Sequence, residues 1–126
     1  MSYLPKDHNH VSPYLVVDDA NEMIDFLVNT FDGQLLIKIE NDDGQIMHSE
    51  VKIFDSVIMI GEGGDQYPST TAIYHIYVPD CDVYMKKAVE YGGLISRDPE
   101  TFPDGNRRGS ILGPMSNTWT ITTKLN

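Results

Sequence analysis

Residues 44–53 read GQIMHSEVKI, and within them His48, Glu50 and Lys52 recur at every second position. On a strand, that alternation puts the three polar side chains on one face and Met47, Val51 and Ile53 on the other. A histidine and a carboxylate on one face can contribute to a metal site, act as an acid–base pair, line a wet cleft, or simply be solvated. Successive same-face residues sit roughly 6–7 Å apart along a strand, which is loose for a direct His48–Glu50 hydrogen bond and leaves room for water or substrate between them. The other two histidines near the start, His8 and His10, lie in a polar stretch, MSYLPKDHNH, and are expected to be exposed to solvent.

The elements that would position these residues can be read from periodicity. VSPYLVV (11–17) is rich in β-formers and stops at Asp18-Asp19. Met23, Ile24, Phe26, Leu27 and Phe31 then recur at three- and four-residue spacing, which marks an amphipathic helix. Asp19 suits its N-cap and Gly33 its stop. LLIKIE (35–40) reads as a strand, NDDG (41–44) as a hairpin turn, 45–54 as the strand carrying His48, and VIMIG (57–61) as its partner across a tight turn at Asp55-Ser56. EGGDQYPSTT (62–71) breaks the pattern. The order then repeats: a strand at 72–78, Pro79-Asp80, a helix through Val83, Tyr84, Ala88 and Tyr91 to Gly92-Gly93, a strand at 94–98, a loop at 99–106, and strands at 108–113 and 118–124. Val17 and Val78 close the first strand of each half, and each is followed within two residues by aspartate and a helix, the pattern of an internal duplication. One domain is expected, made of module 11–62 and module 72–124 joined by loop 63–71.

Composition bounds the function. The chain has 126 residues, 40% hydrophobic and 22% charged, with a formal net charge of −10. An acidic balance argues against nucleic acid and anionic membrane surfaces, and suits a cationic or neutral small ligand. No apolar run approaches the ~20 residues of a membrane span. The N-terminus has no apolar secretory core, and the single cysteine, Cys81, rules out an internal disulfide, so a cytoplasmic location is expected.

PYLVVDDANEMIDFLVNTF (13–31) paired with DGQIMHSEVKIFDSVIMIGE (43–62) resembles the vicinal-oxygen-chelate superfamily, which includes glyoxalase I, bleomycin-resistance proteins and extradiol dioxygenases. The PhnB-like branch is the nearest in pattern, and HIYVPDCDVYMKKAVEYGG (75–93) and RRGSILGPMSNTW (107–119) match it in order and spacing. The resemblance runs from Val11 to Lys124. It implies an α+β fold of two βαβββ modules, whose curled mixed sheets enclose a cleft, and a homodimer. Metal-dependent members take four ligands from positions that correspond here to Ser12, Met59, Ile73 and Thr120. Serine, methionine, isoleucine and threonine are not the donors that Zn²⁺, Ni²⁺ or Fe²⁺ select. The turn before the last strand, Asp-Pro-x-Gly-His in many members, is Gly113-Pro114-Met115-Ser116-Asn117 here.

Alternation gives the expected cleft lining as Tyr14, His48, Glu50, Lys52, Met59, His75, Tyr77 and Thr120. The loop DPETFPDGNR (98–107) corresponds to a rim segment in the resembling proteins, which implies that Phe102 could close over a ligand and that Arg107 or Arg108 could meet an anion bidentately. Thr118, Thr120 and Thr122 share one face of the last strand, with Trp119 and Ile121 opposite. Three functions remain open. The first is metal-independent binding of an antibiotic-like molecule or metabolite, with no cofactor. The second is a lyase, isomerase or dioxygenase that holds Zn, Ni, Mn or Fe on displaced ligands, His48, Glu50 and His75. The third is a metal-free enzyme that uses His48 and Glu50 as acid and base.

Overall fold

The computed structural model describes residues 2–125. These divide into two compact units at Thr70–Thr71, and each unit is a βαβββ module.

In the first module β1 (Tyr14–Val17) leads into α1 (Ala20–Phe31), followed by β2 (Gln34–Glu40), β3 (Ile46–Ile53) and β4 (Ser56–Glu62). The sheet order is β1-β4-β3-β2. β1 runs parallel to β4, and the β4–β3 and β3–β2 pairs are antiparallel. A parallel neighbour for β1 requires a crossover, and α1 begins it. The apolar stripe of α1, with Met23, Ile24, Phe26, Leu27 and Phe31, is buried against Leu15, Val17, Val51, Ile58 and Ile60 of the sheet. Asp19 caps the helix by accepting the Glu22 amide at 3.1 Å. Asp19→Ala is therefore expected to cost about 1 kcal/mol, readable as a lower urea midpoint with an unchanged slope.

The helix stop differs from expectation. Asp32, not Gly33, takes the left-handed C-terminal position, at φ 56°. Gly33 is instead needed for closeness: a Cβ there would lie 2.9 Å from Cγ1 of Val51. A clasp that periodicity does not reveal is Glu62, which accepts the Ala20 amide at 3.0 Å on one oxygen and the Ile46 amide at 2.8 Å on the other. It fastens the start of α1 and the start of β3 to the end of β4.

The second module repeats the order with β5 (Ile73–Tyr77), α2 (Cys81–Glu90), β6 (Leu94–Thr101), β7 (Asn106–Leu112) and β8 (Thr118–Lys124). Its sheet runs β5-β8-β7-β6, with β5 parallel to β8. Asp80 caps α2 by accepting the amides of Asp82 and Val83. Trp119, 2% exposed, stacks on Tyr74 with ring centroids 4.5 Å apart, and Ile111, Ile121, Met85 and Ala88 complete the core. β6 continues through Pro99 to Thr101, where a loop was expected. It is the edge strand and its pairing is irregular between Arg97 and Glu100, the settings in which a strand tolerates proline. The expected loop shrinks to a tight turn, in which the Gly105 amide donates to the Phe102 carbonyl.

A single 3-10 turn at Pro114–Ser116 precedes β8, with Met115 and Ser116 both at positive φ. Buried Asn117 follows it and accepts the Ala72 amide at 3.0 Å, which locks the start of β8 to the start of β5. Cys81 is a buried free thiol, with its pKa raised by burial.

Candidate functional site

β3 is where the first module offers chemistry. Ser49, Val51 and Ile53 turn under α1 and are buried, while His48, Glu50 and Lys52 stand on the other face. Glu50 pairs across the sheet with Met59, Met59 with Tyr14, and Ile37 with Glu50 on the far side. Tyr14, Met59, Glu50 and Ile37 thus form one row across four strands, and Ile39 lies opposite His48. Met47 departs from simple alternation. The β2–β3 register shifts between Ile39 and Glu40, so Ile46 is buried and Met47 is 53% exposed rather than facing the helix.

The Tyr14 hydroxyl donates to the Met47 carbonyl at 3.4 Å and lies 3.5 Å from Nδ1 of His48. It passes over Gly61, where a Cβ would come within 2.6 Å of the hydroxyl oxygen, so this close approach requires glycine.

Glu50 stands between two imidazoles. Nε2 of His48 donates to its Oε2 at 2.7 Å, and Nε2 of His8 donates to its Oε1 at 2.8 Å. Two expectations are overturned here. The strand repeat separates backbones, but His48 and Glu50 lean toward each other and bond directly. His8 is not solvated: its side chain is 12% exposed, and that of Glu50 14%. His8 arrives on a strap, residues 6–9, that crosses the open face. Asp7 accepts from Nζ of Lys52 at 3.1 Å, and Asn9 donates to the Asp55 carbonyl at 2.8 Å. His10 keeps to the exposed Tyr3 hydroxyl.

The strap also fixes the charge of His8. Its Nδ1 faces the Lys6 carbonyl at 2.8 Å and its Nε2 faces the Glu50 carboxylate, both acceptors, so both nitrogens must carry protons. The Lys6 carbonyl and then Glu50 hold the His8 pKa above its ordinary value. Burial pushes the Glu50 pKa up, but hydrogen bonds from His48 and His8 outweigh it and the net shift is downward.

In the second module, His75 and Tyr77 lie on the exposed side of β5, their rings 5.0 Å apart. Nε2 of His75 bonds the hydroxyl of fully buried Thr122 at 2.7 Å. Thr120 and Ser110 share a hydroxyl–hydroxyl contact of 3.1 Å on the same sheet face. The Arg108 guanidinium lies over Phe102, its Cζ 3.9 Å from the ring centroid.

Arg107 is elsewhere. It turns to α2, where Nε and a terminal nitrogen grip both oxygens of Asp82 at 2.9 and 3.1 Å. Alternation on β7 gives the reason: Arg108 pairs with Thr122 and shares the face of Ser110, and Arg107 takes the helix side.

The first module therefore brings together Tyr14, His48, Glu50 and Met59 with Lys52 beside them. The second brings His75 together with Tyr77, and Phe102 together with Arg108. Alternation puts Thr122 on the face of Thr120, but sequence reasoning assigned no role to His8 or Gly61. Only His8 carried a signal, as a titratable residue beside an acidic one in Asp7-His8.

The donor set does not suit the metal that the resemblance implies. Ser12, Met59, Ile73 and Thr120 offer two alcohols, a thioether and an alkyl group. The Nε2 atoms of His8 and His48 are both committed to Glu50, and among the described residues no group of three His, Cys, Asp or Glu side chains is arranged to hold an ion.

Comparison with known proteins places this geometry in context. No family model matches the chain. An uncharacterised protein of Mycobacterium bovis is 29% identical over 122 residues, covering 88% of this chain and 80% of its own. TioX from Micromonospora sp. ML1 superimposes with a TM-score of 0.79 at 22% identity, over 93% of this chain and 99% of TioX. A member of the glyoxalase/bleomycin resistance protein/dioxygenase superfamily from Sphaerobacter thermophilus gives 0.69 at 19% identity, over 98% of both chains. TnmS3 from Streptomyces sp. CB03234, described as an antibiotic binding protein, gives 0.73 at 19% identity, over 92% of this chain and 96% of TnmS3. At these identities the likeness is one of fold: two βαβββ modules of the glyoxalase/bleomycin resistance type. No helix among the described residues is long and apolar enough to cross a membrane.

Proposed function

We propose that this chain is a cytoplasmic, homodimeric, metal-independent binding protein for an antibiotic-like molecule or metabolite, of the glyoxalase/bleomycin-resistance kind. The observation that carries this reading is the Tyr14–Met59–Glu50–Ile37 row. It sets a charged, hydrogen-bonded carboxylate among exposed aromatic and aliphatic side chains. Apolar contact area with a few fixed polar groups is the composition of a small-molecule site. The net charge of −10 favours cationic or neutral ligands over anionic ones. TnmS3, an antibiotic binding protein, shares the fold and supports a ligand of that class. Large exposed apolar side chains at Ile73, Tyr77 and Leu94 support self-association.

The 2.7 Å His48–Glu50 hydrogen bond favours a second reading, a metal-free acid–base enzyme in which the carboxylate orients an imidazole base.

One experiment separates the readings. The full chain is incubated with a panel of cationic and neutral aromatic antibiotics, and native mass spectrometry reads mass, stoichiometry and any change in the compound. Dimers that carry an intact compound are the expected result. A chemically altered compound favours the acid–base enzyme. Stoichiometric uptake of Zn²⁺, Ni²⁺, Mn²⁺ or Fe²⁺, abolished by His48→Ala, overturns the metal-independent reading.

A further inference from the structure

The N-terminal strap occupies the face on which a ligand would sit, and its grip depends on one proton. We propose that residues 6–9 form a proton-sensitive gate over the first module, closed while His8 is an imidazolium and opened when it deprotonates or when a cationic ligand takes its place on Glu50. The gate regulates the site described above and rests on the reading of that face as the binding site.

The geometry carries the proposal. His8 makes its two bonds to acceptors on opposite sides, the Lys6 carbonyl of its own strap and the Glu50 carboxylate of β3. Neutral imidazole has one N–H and one lone pair. Loss of the proton therefore turns a lone pair against one of the two oxygens, whichever tautomer remains. Retaining Nδ1–H keeps the strap turn but sets Nε2 against a carboxylate oxygen. Retaining Nε2–H keeps the Glu50 contact but breaks the turn that presents the ring.

The remaining ties are weaker. The Asp7–Lys52 pair is partly exposed and screened by water, and Asn9–Asp55 is a neutral hydrogen bond. The strap turns through a left-handed residue, Asp7 at φ 72°, a conformation that aspartate adopts more readily than most side chains.

The acidic side chains beside His8, Glu50 and Asp7, favour its protonated and therefore closed state, and charged and titratable groups surround it on every side. On the strap they are Lys6 and Asp7, on β3 His48, Glu50 and Lys52, and on β1 Tyr14. Asp7 and Glu50 face His8 with negative charge. Lys52 is held by Asp7, and His48 approaches Glu50 on the oxygen that His8 leaves free.

The sign follows from the two shifts. A raised His8 pKa makes the contact present below that pKa and lost as pH rises through it. A lowered Glu50 pKa makes it persist until pH falls through that value. The closed window lies between the two, and the physiological exit is upward.

The test is ¹⁵N relaxation of the ligand-free full chain at about pH 5.5 and about pH 8.5, which bracket histidine titration. The heteronuclear NOEs of Asp7, His8 and Asn9 are expected to be those of ordered backbone at the lower pH and to fall toward free-terminus values at the higher. In His8→Ala they are expected to be low at both. Trypsin cleavage after Lys6, compared at one mildly acidic pH, is expected to be about tenfold faster in His8→Ala, the loss of a charge-assisted hydrogen bond. Unchanged NOEs across the two pH values, or a His8→Ala strap as ordered and protected as the wild type, would overturn the gate. No ligand is present in these measurements, so that result would leave the binding reading standing. Conversely, a His8→Ala protein with an open strap that takes up none of the antibiotic panel counts against the binding reading and not the gate.

Discussion

Trp119→Ala is expected to lower stability by about 3–5 kcal/mol, the range for truncating a large buried aromatic. Trp119 is 2% exposed and stacks on Tyr74 at 4.5 Å with ring planes 21° apart. It lies on β8, an interior strand bonded to β5 on one side and β7 on the other. Backbone fixed by two ladders cannot collapse into the space the indole leaves, so most of the cavity persists. The loss is a large share of the 5–15 kcal/mol typical of a domain. Trp119→Phe keeps a ring against Tyr74 and is expected to lose distinctly less. The chain has one tryptophan, so the measurement is urea unfolding followed by far-ultraviolet circular dichroism rather than by fluorescence. The effect reaches the functional face, because β8 also carries Thr122, the partner of His75. A loss below about 1 kcal/mol would mean that the second core does not close around this side chain.

What was legible in the sequence was what periodicity writes. Met23, Ile24, Phe26, Leu27 and Phe31 repeat at helical spacing and are all buried, and His48, Glu50 and Lys52 alternate onto one face. The duplication of strand, helix and strands was visible in the Val17 and Val78 boundaries. Irregularity was not visible. The bulge that exposes Met47 is a one-residue shift in pairing, and nothing in IMHSE marks it. Pro99 looked like a strand breaker because its tolerance depends on β6 being an edge, which is a property of the sheet and not of the segment. Arg107 and Arg108 are adjacent and chemically identical, so only the register against Thr123 and Thr122 decides which one meets Asp82. His8 was the largest omission. Its partner is 42 residues away, and a polar tail gives no periodic signal for where it docks.

Glu50→Gln tests the centre of the site with the least change of shape. The carboxylate receives an N–H on each oxygen, from His8 and from His48. Glutamine offers one oxygen and one NH₂, so whichever way the amide turns, one imidazole N–H meets a donor. If the NH₂ turns to His8, the strap loses its anchor. If it turns to His48, the strap keeps a bond from the imidazolium to an uncharged oxygen in place of one between opposite charges. In both cases His8 loses the negative charge that favours its proton, and its pKa is expected to fall toward the ordinary histidine value. A ring ¹H–¹⁵N titration of the wild type and variant reads that shift directly. The pH response is expected to change in a second way. In the wild type the contact fails at low pH as Glu50 takes up a proton, whereas the amide has no proton to take up, and that acid limb is expected to disappear. Affinity for a cationic member of the antibiotic panel is expected to drop by about tenfold or more, the worth of one charge-assisted hydrogen bond, while a neutral aromatic held by Tyr14 and Met59 loses little. Equal losses for cationic and neutral compounds would show that the variant had disturbed the face as a whole, and the assignment of Glu50 as the group that selects charge would then fail.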